Sequence, residues 1–184
     1  SRTEEEDVGN YTITPAGEAE QGNYAVTYRT GTFTITPATM TVTAVTDEKV
    51  YDGRPLYGGA GLEVTVGTTV RYLLPGAEDW TEELPSITNA GSLTYRVKAE
   101  NPNYETVEST GTLTVEPRPV TVTPADAEKA YATEDPAFTA TATGLIGDDT
   151  VSCSLTRAGG ENVGTYTIFA TGEAAQRNYM VTFE

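Results

Sequence analysis

Carboxylates are the most abundant reactive side chains of this 184-residue chain, which has 27 Asp and Glu residues, one Cys and no His. Without His, the chain cannot build a Ser–His–Asp triad, a Cys–His dyad or a His-ligated zinc site. Paired carboxylates can hydrolyse glycosides when both face one cleft. The adjacent pair Asp148-Asp149 is a poor candidate, because neighbours on a strand point to opposite faces. We therefore predict no catalytic residues and no enzyme activity.

The acidic residues also form short clusters, at 4–7 (EEED), 47–48 (DE) and 148–149 (DD). Calcium needs about six to eight oxygen ligands that converge from a shaped loop. None of the clusters has the D-x-D-x-D-G ladder of such a loop. No Gly-rich phosphate loop follows a predicted strand and opens a helix. We therefore expect solvated acidic surfaces, with no metal site and no cofactor.

The balance of charge and hydropathy excludes two classes of partner. The formal net charge is −16, which argues against binding to a nucleic-acid backbone or to an anionic membrane. The hydrophobic runs are short, so no segment is predicted to span a bilayer as a helix. We expect no nucleic-acid partner and no membrane insertion.

Trp80 and Cys153 are each the only residue of their type. Trp80 lies in a loop at 75–85 and is the candidate ligand contact, since an aromatic ring on a loop can stack on a sugar or anchor a partner. The alternative is that this loop folds back as a lid on its own sheet. Cys153 alternates with Val151 and Leu155, which predicts a small, buried side chain.

An internal repeat organises the rest of the chain. The segment 31–37 (GTFTITP) returns 80 residues later at 111–117 (GTLTVEP), and 41–43 returns at 121–123. A turn signal occurs three times, at 7–9 (DVG), 89–91 (NAG) and 162–164 (NVG), and an Asn-Tyr pair occurs three times, at 23–24, 103–104 and 178–179. We expect the Gly of each turn to adopt a positive φ, and each Tyr to be the first inward anchor of a strand.

The repeat predicts three segments. Residues 1–37 are the C-terminal part of a truncated copy, residues 38–117 are a complete copy, and residues 118–184 are a copy that lacks its final strand. Proline stiffens the joints at 37 and 117. The structural repeat motif consists of Tyr51, Asp52, Gly53, Gly91, Asn103, Tyr104, Tyr131, Gly164, Asn178 and Tyr179.

Period-two alternation predicts a mainly β fold. In the second copy, apolar residues alternate with polar ones at 40–44, 62–66, 70–74 and 93–99. Strand-length segments at intervals of about 8–12 residues favour tandem small antiparallel sandwiches of immunoglobulin-like style. The alternative is a β-grasp-like module with one short helix.

The second copy resembles the MBG/YDG-type repeats of large bacterial surface proteins, through its motifs TVT (41–43), EKVYDG (48–53), NAG (89–91), NPNY (101–104) and GTLTV (111–115). The third copy resembles the related YGX type, through KAY (129–131), EDPA (134–137), GLIGD (144–148), NVGTY (162–166) and NY (178–179). It has Ala132 where the family has Gly after the Tyr.

The resemblance implies an extracellular, cell-surface repeat of an adhesin-like or wall-attached protein, which acts as a stalk or spacer and in adhesion. The alternative function is a carbohydrate-binding module for host or cell-wall glycans. We expect the strand near 179–183 to present an open edge that pairs with a neighbouring repeat or chain. A Lys–Asn isopeptide crosslink is left open, because Lys49 and Lys129 are equivalent, as are Asn23, Asn103 and Asn178.

Overall fold

A computed structural model describes residues 1–2 and 5–184 of the chain. The predicted mainly β fold is confirmed: the described residues form strands in several small sheets, and none of them is helical. The short helix of the β-grasp-like alternative is therefore not found in the described part. The 18 strands are β1 (Gly9–Ile13), β2 (Glu20–Gln21), β3 (Tyr24–Ala25), β4 (Gly31–Ile35), β5 (Val42–Ala44), β6 (Asp47–Val50), β7 (Leu56–Tyr57), β8 (Ala60–Leu62), β9 (Thr69–Leu73), β10 (Ser86–Ile87), β11 (Gly91–Glu100), β12 (Val107–Glu116), β13 (Arg118–Pro124), β14 (Ala140–Thr143), β15 (Ser154–Arg157), β16 (Ile168–Thr171), β17 (Ala175–Gln176) and β18 (Tyr179–Phe183).

Two compact units share the chain. Unit 1 contains Ser1–Ala44, Gly59–Glu83 and Tyr95–Gly111, and unit 2 contains Val45–Gly58, Leu84–Thr94 and Thr112–Glu184. Each unit therefore combines residues from two of the predicted copies. The copy boundaries at 37 and 117 remain a prediction from the repeat.

Unit 1 is built from antiparallel pairs. Strand β1 pairs with β4, β5 pairs with β8, and β9 pairs with the second half of β11, where Val97 faces Tyr72. Alternate residues of β11 point inward, so that Tyr95, Val97 and Ala99 are all buried. The hydroxyl of Tyr95 donates to the Gly59 carbonyl at 2.9 Å and accepts from the Gly59 N–H at 3.0 Å. This buried Tyr therefore satisfies its polar end on the backbone.

Unit 2 contains a four-stranded sheet in the order β14-β13-β18-β17, together with the pairs β15–β16 and β7–β10. Strand β13 is antiparallel to β14 but parallel to β18, and β6 is parallel to the last four residues of β12. These parallel pairs were not anticipated by the antiparallel sandwich prediction. The core of the unit is formed by Tyr51, Val115, Val120, Val122, Ala170, Tyr179 and Val181.

Two local predictions were wrong. The alternation at 62–66 predicted a strand, but β8 ends at Leu62 and the Val66 side chain is 88% exposed. The chain turns there through Gly67, which has a φ of +75°. The alternation at 151–155 predicted a buried Cys153, but its side chain is exposed, because β15 begins only at Ser154. Alternation alone does not place a side chain where the strand is absent.

No helix among residues 1–2 and 5–184 has the length and apolar character needed to cross a lipid bilayer.

Candidate functional site: the joint between repeated segments

Asn178 connects the third copy to the turn of the second copy within unit 2. It lies between β17 and β18, after Arg177 with a φ of +50°. Its Oδ1 accepts from the Ala90 N–H at 2.8 Å, and its Nδ2 donates to Asn89 Oδ1 at 3.1 Å. Its own carbonyl accepts from the Arg118 N–H at 2.8 Å. One residue therefore bonds both the preceding turn and the first residue after the proline joint.

Asn103 makes the same set of contacts within unit 1. Its Oδ1 accepts from the Val8 N–H at 2.8 Å, and its Nδ2 donates to Asp7 Oδ1 at 2.7 Å. Its carbonyl accepts from the Ala38 N–H at 3.0 Å. We call this arrangement the Asn joint: an Asn carboxamide bonded to the first side chain and the second N–H of an Asp/Asn-x-Gly turn.

The Asn joint uses both ends of the carboxamide, because the side chain accepts at Oδ1 and donates at Nδ2. The bonded residues are far apart in sequence, 95 residues for Val8 and Asn103 and 88 residues for Ala90 and Asn178. An Asn in a turn can also bond its own local backbone. Asn101 does so, since its Oδ1 accepts from the Asn103 N–H at 3.1 Å, whereas the Asn103 and Asn178 carboxamides bond distant turns.

Tyr51 extends the contact around Asn178. Its ring meets that of Tyr179 edge to face, with centroids 5.5 Å apart, and both rings are buried. Both hydroxyls donate to Asp149 Oδ2, at 3.2 Å from Tyr51 and 2.5 Å from Tyr179. Burial and the Asp149 carboxylate raise the pKa of Tyr179 above its usual value. The Asp149 carboxylate therefore accepts hydrogen bonds from two tyrosine hydroxyls.

The glycines and tyrosines of the repeat motif occupy several environments. Of the three turn glycines, Gly91 has a φ of +146°, whereas Gly9 and Gly164 do not have a positive φ, so the prediction of a positive φ holds for one turn and was wrong for two. Gly53 of the repeat motif has a φ of +76°. Tyr104 bridges Ala38 in parallel within unit 1, as Tyr179 pairs with Arg118 in unit 2. Tyr131, the equivalent of Tyr51, is 70% exposed.

Asp52 and the two candidate crosslinking lysines lie in ion pairs. The Lys49 ammonium bonds Asp52 at 2.5 Å and also the Arg54 carbonyl, and this hydrogen bond from Lys49 lowers the pKa of Asp52. Lys129 bonds Asp135 and Glu161, each at 2.8 Å. Neither Lys is hydrogen-bonded to an Asn within the described part of the chain. The crosslink remains an untested prediction.

Trp80 is half-buried beside β11 in unit 1. The guanidinium of Arg96 and the ammonium of Lys98 lie 5.5 Å and 5.0 Å from its ring centroid. Arg96 and Lys98 alternate with the buried residues of β11, so Trp80 covers the outward face of that strand. Two cation–π contacts therefore occupy the ring that was the candidate ligand contact.

A square of four charges in the third copy was not predicted. Lys129 and Arg157 each bond both Asp135 and Glu161, with distances of 2.6–2.8 Å. Hydrogen bonds from Arg157 and Lys129 lower the pKa of Asp135 to about 2, and those from Lys129 and Arg157 lower the pKa of Glu161. The square lines a cleft of about 790 Å³ that also contains Tyr131 and Val163.

Metal-binding side chains are not clustered in the described part, where no group of three or more His, Cys, Asp or Glu residues is placed to hold an ion. Of the acidic run at 4–7, Glu4 lies outside the described residues. The acidic pair at 148–149 is divided, because Asp149 binds the two tyrosines while Asp148 lines a small surface cleft beside Arg177.

Comparison with known proteins identifies the repeat. The model of the MBG domain family (YGX type) matches residues 1–34 and 120–184, which together are more than half of the chain. No curated protein and no solved structure matches the chain. MBG domains occur in bacterial surface proteins. Because that family model covers more than half of the chain, the chain belongs to the MBG domain family of the YGX type.

Proposed function

We propose that this chain is a non-catalytic stalk or spacer segment of a bacterial surface protein, located outside the cell and contributing to adhesion by displaying other parts of that protein. The family supports the location, since MBG domains occur in bacterial surface proteins. The observation that carries the spacer role is the Asn joint, which occurs twice with the same three hydrogen bonds, at Asn103 and at Asn178.

A spacer needs a rigid structure, and in this proposal the Asn joint contributes to it by holding segments of two copies together within one compact unit. The backbone carbonyl of each Asn holds the residue after a proline joint, while its carboxamide holds the preceding turn. Several anchored points define an orientation better than a single covalent link does. Proline at 37 and 117 removes further freedom from the connection.

The charge square supports a role without catalysis. A glycosidase needs one carboxyl with a raised pKa to protonate the leaving group. Asp135 and Glu161 have lowered pKa values, because each is bonded by two cations. Both are therefore ionised near neutral pH and unable to donate a proton there.

The spacer role predicts a mechanical effect of the Asn joint. We expect Asn178→Ala, stretched between its two termini in a single-molecule instrument, to unfold at a lower force than the unmodified chain, because the turn at 89–91 loses both side-chain hydrogen bonds to residue 178. Asn162→Ala is the matched control, since the Asn162 carboxamide has no hydrogen bond to the described residues. Equal unfolding forces for Asn178→Ala and the control would contradict the proposal.

The alternative function is carbohydrate binding. It is favoured by exposed aromatic rings, in particular that of Tyr131 in the cleft of about 790 Å³. It would use Trp80 only if a sugar displaced Arg96 and Lys98 from the ring. The test is a glycan array with Trp80→Ala and Tyr131→Ala. Glycan retention that either variant abolishes, with an unchanged unfolding midpoint, would establish binding, whereas loss of stability alone in Trp80→Ala would establish the lid.

A further inference from the structure

The chain contains three Asp/Asn-x-Gly turns and three Asn-Tyr pairs, but only two of each are matched in Asn joints. The turn at 7–9 binds Asn103, and the turn at 89–91 binds Asn178. The turn at 162–164 and the pair at 23–24 have no such partner among the described residues. One turn and one Asn-Tyr pair are therefore left without a partner.

Both unmatched halves are accessible. The Val163 side chain is 91% exposed, and the residue occupies the position whose N–H donates to Asn in the other two turns. The Tyr24 side chain is 77% exposed, whereas Tyr179, its equivalent, is buried against Tyr51. Tyr131, the equivalent of Tyr51, is exposed beside the unmatched turn and lines the same cleft as Val163.

The unmatched turn shares an internal contact with the first turn. The Tyr166 hydroxyl donates to the Asn162 carbonyl at 2.8 Å, and the Tyr11 hydroxyl donates in the same way to the Asp7 carbonyl. The turn at 7–9 binds an Asn carboxamide through its first side chain and its second N–H. The turn at 162–164 has the same groups, with the Asn162 carboxamide in place of the Asp7 carboxylate.

We propose that the turn at 162–164 binds the Asn23-Tyr24 pair of a second copy of this chain, which forms an intermolecular Asn joint. Asn23 Oδ1 accepts from the Val163 N–H, and the Asn23 Nδ2 donates to the Asn162 side chain. Tyr24 packs against Tyr131 as Tyr179 packs against Tyr51. Because the two halves differ, each molecule offers one of each and association proceeds head to tail.

The charge of the chain sets the conditions of the test. Two molecules with a net charge of −16 repel each other at low ionic strength. The contact itself joins neutral groups, so salt relieves the repulsion without weakening the joint. We therefore expect association to become stronger as salt is raised to about 0.5 M.

The experiment is sedimentation velocity of the unmodified chain, Asn23→Ala and Val163→Pro at concentrations up to about 1 mM. The unmodified chain should form a concentration-dependent series of oligomers. Asn23→Ala lacks the carboxamide of the joint and Val163→Pro lacks the turn N–H. Each variant alone should therefore associate about ten- to thirtyfold more weakly than the unmodified chain. An equimolar mixture of the two variants should form mainly dimers, since each molecule keeps one intact partner of the joint.

Two further variants keep the result interpretable. Asn162→Ala removes one of the two side-chain hydrogen bonds without a change of backbone and should weaken association less than Val163→Pro. Asn10→Ala is the matched control for Asn23→Ala, because its Oδ1 bonds Thr34 within β1 and β4. A monomeric unmodified chain, or variants that associate as strongly as the unmodified chain, would overturn the proposal. Either result leaves the spacer role intact, since that role rests on the joints within one chain.

Discussion

The two Asn joints differ in the side chain that accepts from the Asn amide, which is a carboxylate in one joint and a carboxamide in the other. Asn103 Nδ2 faces the carboxylate of Asp7, whereas Asn178 Nδ2 faces the carboxamide of Asn89. An Asp at 178 could still accept a hydrogen bond from Asn89 if the Asn89 carboxamide rotated so that its Nδ2 faced the new carboxylate. An Asp at 103 would place two carboxylates together, and neither can donate while both are ionised.

We therefore expect Asn103→Asp to destabilise the protein by about 1–3 kcal/mol, and Asn178→Asp by less than about 1 kcal/mol. The extra cost at 103 should fall on acidification, because one of two adjacent carboxyls that is protonated can donate to the other. Urea unfolding measures both effects, and the fluorescence of Trp80 follows the Asn103 variant, because both residues belong to unit 1. Asn162→Asp controls for the added charge. Equal losses at 103 and 178 would show that the amide partners are irrelevant.

Ala132 offers a simpler prediction. It has a φ of +66°, a conformation that costs a residue with a Cβ about 1 kcal/mol, whereas in the second copy the positive φ, +76°, falls one position later, at Gly53, without this cost. We expect Ala132→Gly to stabilise the protein by up to about 0.5 kcal/mol, after the greater entropy of Gly in the unfolded chain is subtracted. The measurement is the urea midpoint at an unchanged m-value.

The reverse substitution at Gly53, the positive-φ residue that follows Tyr51, is the control. Gly53→Ala should destabilise the protein by more than about 1 kcal/mol, because an added Cβ would lie 3.3 Å from Ile146 Cγ2 in addition to the strained φ. A loss of stability in Ala132→Gly would mean that the Ala132 side chain makes a favourable contact that outweighs the backbone strain.

At the scale of elements, the charge square connects two separate segments of the third copy. Lys129 and Asp135 flank the turn at Ala132, while Arg157 ends β15 and Glu161 lies in the following loop. Arg157 also lies over the ring of Tyr166, with its guanidinium carbon 5.3 Å from the centroid. The square therefore ties the turn to the strand end.

The lowered pKa of Asp135 predicts a loss of stability in acid. The folded pKa is about 2 and the ordinary value is 3.8, so the unfolded chain takes up the proton first. The contribution of the ionised Asp135 to the free energy of unfolding is fully present above about pH 4 and disappears as pH falls through about 2. The effect of Lys129 has the opposite pH dependence. The pKa of Lys129 is raised, so its contribution to stability is lost as pH rises through the folded pKa.

The variant Asp135→Asn should be less stable at neutral pH and should lose less stability between pH 4 and pH 2 than the unmodified chain. Asp126→Asn is the control, because Asp126 is exposed and has no ion pair within the described residues. Thermal unfolding monitored by circular dichroism at a series of pH values makes the comparison. Parallel pH curves for Asp135→Asn and the unmodified chain would contradict the role of the square.

The sequence predicted where strands lie better than it predicted which distant residues contact one another. Alternation in 93–99 identified the inward residues of β11 correctly, because a long strand with one buried face imposes period two. Alternation failed at Val66 and Cys153, where turns or irregular backbone interrupt the pattern. The repeat showed that Asn103 and Asn178 are equivalent but not what they bind, because their partners lie 88–95 residues away. The charge square shows only its i, i+4 pair Arg157 and Glu161 in the sequence.

At the scale of the whole molecule, electrostatic repulsion opposes the compact state. Acidic residues exceed basic ones by 16, and folding brings them closer together. Ion pairs such as Arg96–Glu108 are exposed and contribute little, so we expect repulsion to dominate the response to salt. Sodium chloride from about 0.05 to 0.5 M should raise the urea midpoint. Sucrose at equal osmolality separates screening from solute exclusion, and a midpoint that falls with salt would show that local ion pairs outweigh the net charge.

The Asn joint has a consequence for how such a gene can change in length. Each joint links an Asn of one copy to a turn of the copy before it. An in-frame crossover between equivalent positions of two copies inserts or deletes one entire period. After either event, every internal Asn again follows a turn that carries a compatible N–H. Recombination can therefore lengthen or shorten the protein without the need for compensating mutations at the new junction.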